Sequence, residues 1–101
     1  MKIYLSGKIS GLTKEEYEFQ FKMARKRVFQ ETGCFLEDII NPLDIKPLFG
    51  IKRWFYFMAA DLWHLRRCTH IAVKKNWIDS KGAMIEVFFA KFIFKQKVIW
   101  L

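Results

Sequence analysis

Cysteine is scarce in this chain, and the two present, Cys34 and Cys68, share no metal-like spacing with His64 or His70. That argues against a disulfide framework or a zinc ribbon and fits free thiols in a cytosolic protein. His64 and His70 have no partner residues in the sequence and read as structural histidines. No signal peptide precedes the first strand-like residues, Met1-Lys2-Ile3-Tyr4-Leu5. No apolar run reaches the length of a membrane span, and Lys91 interrupts the apolar residues 87–94. There is no internal repeat, linker or low-complexity segment. Neither G-x-G-x-x-G nor a P-loop occurs, so neither dinucleotide nor nucleoside-triphosphate binding is specified.

What remains is a chain of 101 residues, 52% of them hydrophobic, with 11 Phe and 4 Trp. This is enough for one domain, residues 1–101, with one core. The net charge of +8 favours anionic partners: nucleotides, nucleic acid or an acidic protein. The cations are scattered along the chain, which describes a solvated surface better than a dedicated nucleic-acid patch.

Elements alternate. Residues 2–6 read as a buried strand, followed by a glycine-bearing loop, Ser6 to Gly11. Thr13 and Glu16 form a capping box for a helix whose inward stripe is Tyr17, Phe21, Ala24 and Val28, and Gly33 ends it. A second strand is expected over 35–40, stopping at Asn41-Pro42, then a loop over 42–50. A second helix spans 51–67 with Trp54, Phe57, Met58, Leu62 and Leu65 inward. A third strand covers 70–74, a loop 75–80, a third helix 81–94 and a last strand 97–101. The order β-α-β-α-β-α-β predicts an α/β fold with a parallel sheet and helices on both faces. The fold expected is a three-layer αβα sandwich of flavodoxin or Rossmann-like type, with a four-stranded parallel sheet in the order 2-1-3-4.

Two carboxylates break the pattern. Asp61 falls on the apolar stripe of the second helix, and Glu86 lies between Ala83 and Ala90 on that of the third. A charge on an inward face costs several kcal/mol unless it is paired or faces a cavity. A structural salt bridge to Lys or Arg is one outcome; a shared pocket is the other. In such a pocket one carboxylate can attack an anomeric carbon while its partner positions it or handles a proton, the logic of retaining glycosyl transfer. Two stretches suit an anion. Ser80 and Gly82 open the third helix, and Gly7 and Gly11 let backbone approach a ligand ahead of the first. An N-cap serine and an ordinary strand-to-helix turn are the plain alternatives. Trp77 either stacks on a base or covers the core. Phe88, Phe89, Phe92 and Phe94 spread more widely around the third helix than one stripe needs, which suggests a homodimer interface.

These residues also form a family pattern. Met1 to Leu12, Asn41-Pro42, Tyr56 to Leu65 with its central Asp61, Trp77, and Ser80-Lys81-Gly82-Ala83 with Glu86 and Ala90 resemble the DUF4406 family over nearly the whole chain. That family looks like a compact member of the nucleoside 2-deoxyribosyltransferase superfamily, which includes deoxynucleoside 5′-monophosphate N-glycosidases. The resemblance implies that Glu86 is the nucleophile toward C1′ of a deoxyribose and that Asp61 assists. Ser80 would hold the 5′-phosphate, and the loop Gly7-Lys8-Ile9-Ser10-Gly11 would wrap sugar and phosphate. The expected substrate-binding set is Ser6, Gly7, Lys8, Ile9, Ser10, Gly11, Asn41, Trp77, Ser80 and Gly82, with no metal or organic cofactor. The chain departs from relatives at Thr69-His70 after Cys68, at the basic Lys74-Lys75-Asn76, and in stopping after four strands. The expected function is cleavage or transfer of the N-glycosidic bond of a nucleoside monophosphate. The alternatives are a non-catalytic nucleotide-binding or sensor module and a small basic nucleic-acid-binding domain.

Overall fold

The structure is a computed structural model that describes residues 1–9, 11–44 and 54–101, with side chains omitted for Asp44 and for 54–57. Ser10, the loop residues 45–50 with Pro47 and Gly50, the expected helical residues 51–53, and the Trp54 and Phe57 side chains therefore lie outside the described residues.

Four strands form one parallel sheet: β1 (Ile3–Ser6), β2 (Ile39–Ile40), β3 (His70–Val73) and β4 (Lys97–Trp100). Their order is β2-β1-β3-β4, the order expected. Three helices connect them: α1 (Lys14–Thr32), α2 (Trp54–Arg66) and α3 (Lys81–Phe88).

Successive strand residues point to opposite faces, and two clusters result. Ile3, Leu5 and Ala72 pack with Phe21 and Val28 of α1 and with Ile39. Tyr4, Ile71 and Val73 pack with Leu65 of α2 and with Val87 and Ala90 from α3 and its continuation. The period of two along β1 therefore sends Tyr4 and Ser6 toward the α2–α3 side.

Local chemistry sets the helix ends. The Thr13 hydroxyl accepts the Glu16 amide at 3.2 Å, one half of the expected capping box. Gly33 ends α1 at φ 70, in the left-handed region, and donates to the Phe29 carbonyl. Two elements differ from expectation. Residues Leu36–Asp38 turn as a short 3-10 segment, which leaves β2 only two residues long. The third helix is α-helical only to Phe88; Phe89–Ile93 widens into a π turn closed by the Phe94 amide on the Phe89 carbonyl. Gln96 then donates to the Leu65 and Cys68 carbonyls at 2.6 and 2.7 Å, tying the residue before β4 to the last turn of α2 and the segment that follows it. No helix among the described residues is long and apolar enough to cross a membrane.

Candidate functional site

Strand order reverses beside β1, which has β2 on one side and β3 on the other. In parallel sheets ligands bind beyond the carboxyl ends of the strands at such a point. A cleft of about 610 Å³ opens there. Its walls come from the loop after β1 (Gly7, Ile9), the turn after β2 (Pro42, Leu43), α2 (Met58, Asp61) and the start of α3 (Asp79 to Ala83, and Glu86); Tyr17 of α1 completes it.

Glu86 lies at the inner end of this cleft, 5% exposed. No lysine or arginine pairs with it among the described residues. Both carboxylate oxygens instead accept hydrogen bonds from β1: Oε2 from the Tyr4 hydroxyl, and Oε1 from the Ser6 hydroxyl at 2.9 Å. Both donors come from one strand because residues two apart share a face. Two fixed donors orient the carboxyl group without neutralising it.

Burial pushes the Glu86 carboxyl up to about 8; the nearby Asp61 charge adds to the rise, and the Tyr4 and Ser6 hydrogen bonds oppose it. Burial likewise raises Asp61 to about 7. The Tyr4 phenol is raised well above its ordinary value, by burial first and then by the Glu86 and Asp61 charges, so it stays protonated and donates. Both carboxyls are thus raised into the neutral range, where each can hold or release a proton. Glu86, the more deeply buried of the two, is raised further. The two can therefore supply one acid and one base at the same pH.

Ser80 sits at the mouth as the N-cap of α3, its Oγ accepting the Ala83 amide at 3.3 Å. The Lys81 and Gly82 amides, like any in a first helical turn, have no intrahelical acceptor, and both residues line the cleft. A Cβ on Gly82 would lie 3.2 Å from the Met58 sulfur, so glycine keeps this wall clear of α2. Lys81 is the cation among the lining residues, against Asp61, Asp79 and Glu86. Raised carboxyls that are partly protonated near neutral pH reduce the negative charge that an entering anion meets.

The cleft thus brings together Asp61, Glu86, Gly7, Ile9, Ser80 and Gly82 from the expected set. The remaining residues have other placements. Ser6 is fully buried behind the cleft, engaged with Glu86. The Lys8 amide donates to Asn76 Oδ1 at 3.1 Å, and the Lys8 side chain lies over Gly11, which turns at φ 80. Asn41 accepts the Leu43 amide at 3.0 Å, closing the turn that presents Pro42 and Leu43. Trp77 stands 5.6 Å from the Trp100 ring and packs on the Tyr4 cluster. Ser10 lies outside the described residues. Gly7 has a second constraint: a Cβ there would fall 2.5 Å from Cε of Lys74, whose stem passes against it. Among the described residues no group of three metal-ligating side chains converges.

A family model described as a domain of unknown function (DUF4406) matches residues 1–99. The chain belongs to that family. No curated protein and no solved structure matches it. For this DUF4406 member, then, the cleft carries the functional reading. Tyr4 is the residue that sequence reading missed. Its signal was available, since a tyrosine two residues before Ser6 on a buried strand needs a hydroxyl partner.

Proposed function

We propose that the cleft binds a deoxynucleoside monophosphate and acts on its N-glycosidic bond, by hydrolysis or by transfer of the deoxyribosyl group. The observation that carries this reading is that Asp61 of α2 and Glu86 of α3 line one cleft, both raised toward neutral pH by burial, beside the open first turn of α3. Glu86, once ionised, attacks C1′. The bond to the base breaks, and the base leaves as a neutral molecule with a proton from Asp61 or water. Water or a second base then displaces Glu86. Tyr4 and Ser6 hold the carboxylate in place. The Ser80 hydroxyl and the Lys81 and Gly82 amides take the phosphate. The resemblance to nucleoside 2-deoxyribosyltransferases supports the same assignment, and with it a three-layer, Rossmann-like arrangement of the sheet and helices.

A second reading rests on the depth of Glu86, whose two oxygens are already engaged. In it the cleft holds a nucleotide without turnover, as a sensor does. Incubation with a panel of deoxynucleoside monophosphates, with chromatography for the released base, separates the two. The enzymatic reading expects release that Glu86→Gln abolishes; binding with no release above that variant replaces it with the second. We also propose self-association through Met84, Phe88, Phe92 and Ile93, all exposed along α3 and its π turn. Sedimentation of the wild type against Phe88→Ser/Phe92→Ser tests it, and a wild-type monomer rejects it.

A further inference from the structure

Cations that are scattered in the sequence meet in space on the other side of the sheet. A groove of about 590 Å³ runs between α1 and the end of β4, and it shares no lining residue with the cleft. One wall is the outer stripe of α1, where Phe19, Met23, Lys26 and Arg27 follow one another at helical spacing. The other is the segment leaving β3, Lys74 and Lys75. None of the lining side chains is acidic.

The floor is unusual. Lys74 is 7% exposed, yet among the described residues it makes no ion pair. Its ammonium donates to Gln20 Oε1 at 3.0 Å and lies 4.0 Å from the centre of the Phe21 ring. A neutral amide and a ring face orient this charge without cancelling it. Arg27 is held by Glu31 at 2.9 Å, so Lys26 and Lys75 are the cations at the rim still free to meet an anion. In the same groove Phe19, 64% exposed, and Met23 offer an apolar surface to a flat ring.

We infer that this groove is a second binding site, for a phosphate ester joined to a planar ring: a nucleotide, free or as part of a single strand. Lys74, Lys75 and Lys26 take the phosphate oxygens and Phe19 stacks on the base. This site does not depend on the chemistry assigned to the cleft and stands even if the cleft turns nothing over.

The test is a titration of the full ¹⁵N-labelled chain with ADP and, separately, with a thymidine octanucleotide, followed by amide shifts. Saturating shifts at residues 19–27 and 74–76 are expected. Saturation by ADP alone assigns the site to free nucleotides. Saturation only by the octanucleotide, with affinity falling steeply as salt rises, assigns it to single strands. Lys75→Glu, a change at an exposed position, should weaken the binding by about tenfold or more, and Phe19→Ala should weaken it while leaving the spectrum folded. Shifts confined to residues 79–86, no saturating shift at 74–76, or unchanged affinity in Lys75→Glu would each overturn the inference.

Discussion

Replacing Glu86 with glutamine should change how the stability of the fold depends on pH. The carboxyl sits at about 8 in the folded chain against 4.5 for an unperturbed one. It therefore holds its proton more tightly folded than unfolded. Its contribution is intact below pH 4.5, where both states are protonated, and is lost as pH rises through 8. Each pH unit across that window removes about 1.4 kcal/mol, so the whole loss is about 5 kcal/mol. Glutamine keeps the shape and can still engage the Tyr4 and Ser6 hydroxyls, but it cannot ionise. Asp61, raised by burial, lowers stability with pH in both proteins, so that burial contribution is common to the two. Burial lowers Lys74 to about 8, which acts with the opposite sign and only above that pH. Urea unfolding at pH 5, 6, 7 and 8 isolates the effect. The variant should gain on the wild type by about 4 kcal/mol across that range. Parallel pH profiles would refute the claim that Glu86 is a buried, proton-holding carboxyl.

Other consequences follow from the same geometry. Tyr4→Phe removes the hydroxyl that donates to Glu86 Oε2, so the ionised form loses a partner. The rising limb of base release against pH should move up by about one to two pH units, and an unmoved limb would show that this bond does not tune Glu86. Gly7→Ala drives a Cβ into the buried stem of Lys74 and should destabilise the fold by about 1–3 kcal/mol in urea titration; a neutral result would mean the stem has room to move. Ser80→Ala deletes the N-cap of α3, at about 1 kcal/mol in stability. Calorimetry should show it weakening a deoxynucleoside monophosphate far more than the matching nucleoside, and equal weakening would remove Ser80 from phosphate recognition.

How much of this was legible in the sequence depends on which force governs each feature. The α1 cap at Thr13, the stop at Gly33 and the stripe Phe21, Ala24 and Val28 depend on neighbours within a few residues, and they were readable. That the strands are parallel followed from the alternation of strands and helices. The misplaced charges at Asp61 and Glu86 were visible as breaks in two apolar stripes, and the fold sets both on one cleft. The partners of Glu86 were harder, since Tyr4 and Ser6 lie 82 and 80 residues away. Only parallel pairing of β1 beneath α3 brings them together. The two glycines of the first loop read as room for a ligand, but Gly7 also makes room for Lys74, a contact across the sheet that no local pattern encodes. Trp77 beside the Ser80 loop looked equally suited to a base or to the core, and Trp100, from the last strand, is the ring it meets. The short β2 and the π turn after α3 have no counterpart in the local apolar pattern, which read as a longer strand and an unbroken helix.

The central claim is that Glu86 forms a bond to the sugar. Rapid acid quench of the protein with a deoxynucleoside monophosphate at pH 8, followed by peptide mass spectrometry, tests this most directly. The account predicts free base together with a deoxyribosyl phosphate ester on the peptide containing Glu86, both absent in Glu86→Gln. Base released equally by that variant, or no base released by the wild type, would contradict it.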